Sequence, residues 1–141
     1  MEYNIIIAGS RDFTDYKIVK SSLKNFLISK QTTDKPTIIC GMARGADMQG
    51  YRLAKEFKLP LREFLADWNN YGKRAGYIRN EQMAKYAHEK GNGVLFAFWD
   101  GKSKGTKWMI ELAKKYNLEV HIFNFEGEEV RWISMNYLQM N

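Results

Sequence analysis

The chain has 141 residues, 45% of them hydrophobic and 14% aromatic, which suits one domain with a substantial core and excludes a disordered tail. The only cysteine, Cys40, excludes an intramolecular disulfide and a cysteine-built metal cage. The two histidines, His88 and His121, fall in separate elements, so no metal site is expected. A count of 22 basic against 16 acidic residues gives a net charge of +6, which favours anionic partners without separating nucleic acid from a small phosphate ligand.

Nothing at the N-terminus has the layout of a signal peptide, because Met1 and Glu2 lead straight into Ile5, Ile6 and Ile7. No apolar stretch approaches the roughly 20 residues that a membrane span needs. A cytoplasmic location with no membrane partner is the expectation.

The predicted elements alternate strand and helix along the chain. A strand over 3–8 precedes a helix over 15–30, with Tyr16, Val19, Leu23, Phe26 and Leu27 on one face. A short strand, 37–40, enters the turn GMARGAD at 41–47. The next helix, 46–57, carries Ala46, Gly50, Leu53, Ala54 and Phe57 at helical spacing, and Leu59-Pro60 ends it before a strand over 61–65. A connection over 66–74 holds Trp68, Tyr71 and Gly72, and a helix over 76–89 stops at Gly91-Asn92-Gly93. The continuous apolar run 94–99 reads as a strand covered on both faces. A helix over 104–116 follows, its expected buried stripe being Trp108, Met109, Leu112, Ala113 and Tyr116, and 119–123 is a fifth strand.

Repeated β-α units of this kind imply right-handed crossovers and a Rossmann-like three-layer α/β fold, a mostly parallel five-stranded sheet with helices on both faces. Ligands in such folds sit outside the carboxyl ends of the strands, where the strand order switches. Residues 1–124 are therefore expected to form one nucleotide-binding domain. The extension 125–141, with Val130, Trp132, Ile133, Met135, Tyr137, Leu138 and Met140, is expected to pack on that domain or to form an oligomer interface.

Four polar, glycine-bearing turns carry the chemistry. In AGSRD, Gly9 lets the backbone approach a ligand, Ser10 and its neighbours offer N–H groups, and Arg11 adds a bidentate phosphate partner; a tight turn with a surface arginine explains them equally well. In GMARGAD, Gly41, Gly45 and Ala46 are small where a strand feeds a helix N-terminus, and Arg44 adds charge. Asp47 then serves as a helix cap, a ribose hydrogen-bond acceptor or an acid near a reacting centre. The spacing is not a GxGxxG fingerprint, so a nicotinamide cofactor is not supported, and no cofactor other than a nucleotide-type ligand is expected. Arg79, Asn80 and Glu81 open the third helix, where the first two can grip a phosphate or base. In FWDGKSKGTKW, Asp100 ends a strand, and Gly101, Ser103, Gly105 and Thr106 approach the next helix without the Lys-Ser/Thr ending of a Walker loop. Ser103 and Thr106 also suit an ordinary N-cap. Trp68 and Tyr71 are placed to stack on a base or to cover the core. Asp47, Glu81 and Asp100 are the candidate catalytic acids.

The set AGSRD, CGMARGAD, ADWNNYGKRAGYIRNEQM and FWDGKSKGTK resembles the SLOG superfamily, and within it the small single-domain YspA-like group, over residues 3–123. The resemblance implies a Rossmann-like fold and nucleotides or nucleotide-derived ligands. It extends distantly to Lonely Guy phosphoribohydrolases and the DNA-processing protein A core, and small YspA-like members are frequent in phages. Against the Lonely Guy enzymes, Arg79 resembles their arginine before helix three, and Gly101, Gly105 and Thr106 resemble part of their PGGxGTxxE motif. The glutamate of that motif is missing, since Lys107, Trp108 and Met109 follow Thr106, and Glu111 lies more than a helical turn away.

The expected function is therefore binding of a phosphate-bearing nucleotide or derivative, ADP-ribose-like or a signalling nucleotide, as a phage-type sensor or sequestering protein. An N-glycosidic or phosphoester hydrolase is the alternative. Single-stranded DNA binding ranks third, because no basic helix face or arginine-rich arm is visible. The apolar extension and the aromatics favour a homo-oligomer.

Overall fold

The computed structural model describes residues 1–131. Six strands form one sheet: β1 (Asn4–Gly9), β2 (Thr37–Cys40), β3 (Leu61–Glu63), β4 (Gly93–Phe98), β5 (Glu119–Phe123) and β6 (Glu129–Val130). Their order is β3-β2-β1-β4-β5-β6, and every pairing is parallel except β5 with β6. The helices are α1 (Tyr16–Ser29), α2 (Ala46–Phe57), α3 (Trp68–Tyr71), α4 (Ala75–Lys90) and α5 (Lys104–Lys115). This is the Rossmann-like architecture read from the alternation of periods along the chain.

Side chains of a strand point alternately to the two faces, so each strand feeds two cores. Ile5 and Ile7 of β1 join Phe96 and Phe98 of β4 against Val19, Leu23 and Phe26 of α1 and Leu53 of α2. Ile6 and Ala8 join Leu95 and Ala97 against Met83, Ala84 and Ala87 of α4 and Met109, Ile110 and Ala113 of α5. Both faces being covered explains why β1 and β4 are apolar at every central position. Phe13 stacks on Phe98 and Phe98 on Phe123, with ring centroids 4.8 and 5.1 Å apart, which anchors the loop after β1 to the sheet.

Helix ends follow the local chemistry. Asp15 caps α1 by accepting from the Ile18 N–H, and Ser103 caps α5 by accepting from Thr106. Gly91 ends α4 at φ 88°, as the Gly-Asn-Gly turn predicted.

Four expectations change. The connection 66–74 is not irregular, since α3 and a 3-10 turn, Gly72–Arg74, run directly into α4. Asp67 starts this segment by accepting from the N–H of Asn70. A sixth strand appears within the expected C-terminal extension, because Asn124 Oδ1 accepts from the N–H groups of Glu126 and Glu128 and turns the chain back along β5. Phe125 meanwhile packs edge-on against Phe13. Phe57 is 44% exposed and Trp108 45% exposed, so neither belongs to a buried stripe. Phe57 is the last residue of its helix and lies beneath the Lys20 ammonium, and Trp108 meets the Tyr77 ring. Trp132, Ile133, Met135, Tyr137, Leu138 and Met140 lie outside the described residues.

Candidate functional site

The strand order reverses direction between β1 and β4, and the loops leaving their carboxyl ends part there. A cavity of about 200 Å³ opens at this point, lined by the β1 and β2 loops and by the N-terminal turns of α4 and α5. A second hollow of about 540 Å³ continues from it along the loops after β2 and β3. The two share Arg11, Ala43, Trp68 and Arg79.

The walls are held by backbone contacts that require small residues. Gly45 sits at φ +86°, and a Cβ there would lie 2.5 Å from the carbonyl oxygens of Ser10 and Arg11. A Cβ on Gly41 would collide with the Arg79 side chain, and one on Gly9 would meet the Phe98 carbonyl and Ala46. These three glycines admit neighbouring parts of the protein, a different use from the expected approach of a ligand to the backbone. Of the glycines that line the cavity, Gly9, Gly76 and Gly105, only Gly105 meets nothing within 4 Å of where its Cβ would be.

Ser10 is buried and accepts a hydrogen bond from the N–H of Asp100, while its own N–H donates to the Phe98 carbonyl. It latches the β1 loop to the β4 loop and does not line the cavity. Asp100 in turn accepts from the N–H groups of Lys102 and Ser103 at 2.8 Å, and these bonds hold its carboxyl below the usual range. Glu81 bonds Lys115 and Tyr116, which likewise hold it low, on the flank of α4 away from the cavity.

Asp47, only 5% exposed, is the one candidate acid of the three on the cavity wall. Burial pushes its carboxyl up to about 6, against the pull of the Arg79 guanidinium and of backbone N–H groups at Ala43, Gly41 and Gly9. Arg79 spans the floor, its Nη1 donating to the Gly41 carbonyl at 2.6 Å and its Nε to Asn80 Oδ1 at 3.0 Å. Asn80 Nδ2 reaches the Gly105 carbonyl, so the pair ties α4 to the first turn of α5. That turn has N–H groups with no intrahelical partner, and Arg11, Arg44 and Lys73 add positive charge to the rims. Cys40 lies beneath, its thiol pushed up to about 12 chiefly by burial and then by Asp47, which leaves it inert.

Of the residues expected from the turns, Gly9, Arg11, Asp47, Trp68, Arg79, Asn80, Ser103, Gly105 and Thr106 line the first cavity, and Gly41 and Arg44 the second. Ser10, Gly45, Ala46 and Asp100 support the loops behind it, and Tyr71 and Gly101 stay exposed outside it. Ala43, Gly76 and Tyr77, also on the wall, fall within the motifs GMARGAD and ADWNNYGKRAGYIRNEQM, whereas Trp108, expected in the buried stripe of α5, lines the cavity instead. Tyr77 and Trp108 meet edge to face at 5.8 Å, bridging α4 and α5 at the mouth. The buried residues of α5 are Thr106, Met109, Ile110, Leu112 and Ala113, a stripe that leaves Trp108 at its edge.

A profile of the YspA, cpYpsA-related SLOG family matches residues 3–71, which carry β1, β2 and the turns AGSRD and GMARGAD. The chain is also 31% identical over 121 residues to the Gene 61 protein of Mycobacterium phage D29, an alignment covering 82% of this chain and 92% of that protein. The chain belongs to the YspA, cpYpsA-related SLOG family. No solved structure matches it. Membership of this SLOG family suggests a nucleotide-related function, and no helix among the described residues is long and apolar enough to cross a membrane.

Proposed function

We propose that this protein binds a phosphate-bearing nucleotide or nucleotide derivative, ADP-ribose-like or a signalling nucleotide, and acts as a sensor or sequestering protein. The observation that carries this reading is the pair of adjoining cavities joined across Arg11 and Arg79 at the strand switch. Two guanidiniums and the first turn of α5 suit a phosphate group. Trp68, Tyr77 and Trp108 offer ring faces for a base or sugar. The two hollows accommodate groups on either side of the phosphates. The phage homologue fits a role in the cytoplasm of an infected host cell.

A second reading, hydrolysis of the glycosidic or phosphoester bond, draws on Asp47 alone, a carboxyl on the cavity wall that keeps its proton near pH 6. Exposed Ile28, Leu65 and Val130 support assembly into a homo-oligomer. Native mass spectrometry against mononucleotides, cyclic nucleotides and ADP-ribose reads retained ligand, product and subunit count together. The expected result is a retained, uncleaved ligand whose affinity drops roughly 10- to 150-fold in Arg79→Ala, the loss of a charge-assisted phosphate contact. Accumulation of product, abolished by Asp47→Ala, would favour hydrolysis, and failure of the whole panel to bind would refute the proposal.

A further inference from the structure

Phosphate sites are usually cleared of carboxylates, yet this one keeps Asp47 on its wall. Asp47 and Arg79 face the same cavity of about 200 Å³ from opposite elements, α2 and α4. Asp47 is the only carboxyl among the described residues lining either hollow, and neither His88 nor His121 is there. The charged groups that share the walls with it are Arg79 from α4, Arg11 from the β1 loop, Lys73 from the 3-10 turn and, on the second hollow, Arg44, with Cys40 at the end of β2 and Glu63 of β3 beyond the thiol. Cys40 keeps its proton across the neutral range and adds no charge to the wall. The net charge of the wall therefore turns on Asp47.

We infer that anion binding in this cavity is coupled to proton uptake by Asp47, so the site takes its ligand with the carboxyl neutral and loosens as the carboxylate forms. The inference rests on the anion-binding reading above and adds its regulation. When Asp47 is ionised it shares the field of Arg79 with the incoming phosphate, and two negative groups then compete for one half-buried guanidinium. When it is neutral, Arg79 and Arg11 serve the ligand alone. Burial, pushing the carboxyl up to about 6 before any ligand arrives, puts the exchange within reach of ordinary pH. An anion beside it raises that value further. Linkage then requires affinity to fall by up to about tenfold per pH unit between the free and the liganded value.

The test is titration calorimetry from pH 5.5 to 8 in buffers of differing ionisation enthalpy, with ADP-ribose, whose pyrophosphate charges do not titrate in that range, as the probe. Inorganic sulfate, competing with it, isolates the anion from the base and sugars. The expected result is uptake of up to one proton per ADP-ribose and at least tenfold weaker binding at pH 8 than at pH 5.5, with sulfate following the same direction. Asp47→Asn is expected to bind with no proton exchange and a flat pH profile. Should that variant not fold, carbon-13 NMR of aspartate-labelled wild-type protein follows the carboxyl directly, its titration midpoint moving up on saturation with sulfate. Binding with no proton exchange, or an unmoved midpoint, overturns the inference and leaves the binding reading intact. No binding of either probe at pH 5.5, where the site is most cationic, overturns both.

Discussion

At the scale of single residues, the site concentrates its cost in Asp47. A carboxyl near 3.8 in the unfolded chain and about 6 in the folded protein penalises folding as pH rises. Below about 3.8 both states are protonated and the penalty is absent. Between about 3.8 and 6 the unfolded chain ionises first, and above 6 the full cost of roughly 3 kcal/mol stands. Asp47→Asn is therefore expected to shift in stability relative to the wild type by up to about 3 kcal/mol in the variant's favour between pH 4 and pH 8, checked by urea unfolding at both. Asp100 and Glu81 differ from Asp47 because hydrogen bonds, from the Ser103 and Lys102 N–H groups and from Lys115 and Tyr116, hold their carboxyls low. Residue type alone marked all three as acids; what their oxygens touch separated them.

At the scale of elements, the turn from β2 into α2 orders the rest of the site. Its helix starts without a side-chain cap, and Gly45, at φ +86°, brings the Ala46 N–H to the Ser10 carbonyl at 3.3 Å. A methyl group at Gly45 meets backbone on the β1 loop and also strains its own conformation, so Gly45→Ala is expected to cost about 2 kcal/mol or more, read by chemical denaturation. Gly105→Ala meets nothing within 4 Å and serves as the contrasting control. The turn motifs were legible because strand, glycine and helix start follow in register along the chain. The helical character of 68–74 was not, because the short span with Gly72 between strand and helix reads as a connection. That helix depends on Asp67 accepting from Asn70 and on continuity with α4.

At the scale of the whole molecule, the net charge of +6 is spread, and only Arg11, Arg44, Lys73 and Arg79 of the basic residues border the two hollows. A small phosphate ligand meeting these few charges is expected to show a shallow salt dependence, whereas single-stranded DNA tracking the surface would give a steep one. Fluorescence anisotropy of labelled oligonucleotides and competition by ADP-ribose between 50 and 200 mM salt, about the range where such slopes separate, checks this. A steep oligonucleotide slope with micromolar affinity would move nucleic acid ahead of the nucleotide reading.

The sequence by itself determined the alternation of elements, the parallel sheet and the edge at which the glycine-bearing turns gather, because apolar period and turn chemistry are local properties. It also carried the family resemblance on those same turns. Only the tertiary structure decided which turn residues face the cavity and which brace it. Gly9, Gly41 and Gly45 are filled by neighbouring chain, Ser10 is a latch, and Trp108 is a wall instead of core. It also placed a buried carboxyl, Asp47, on the wall of one cavity with Arg79, thirty-two positions along the chain (79 − 47). Burial and through-space charge arise from packing between distant segments, and no spacing along the chain encodes them.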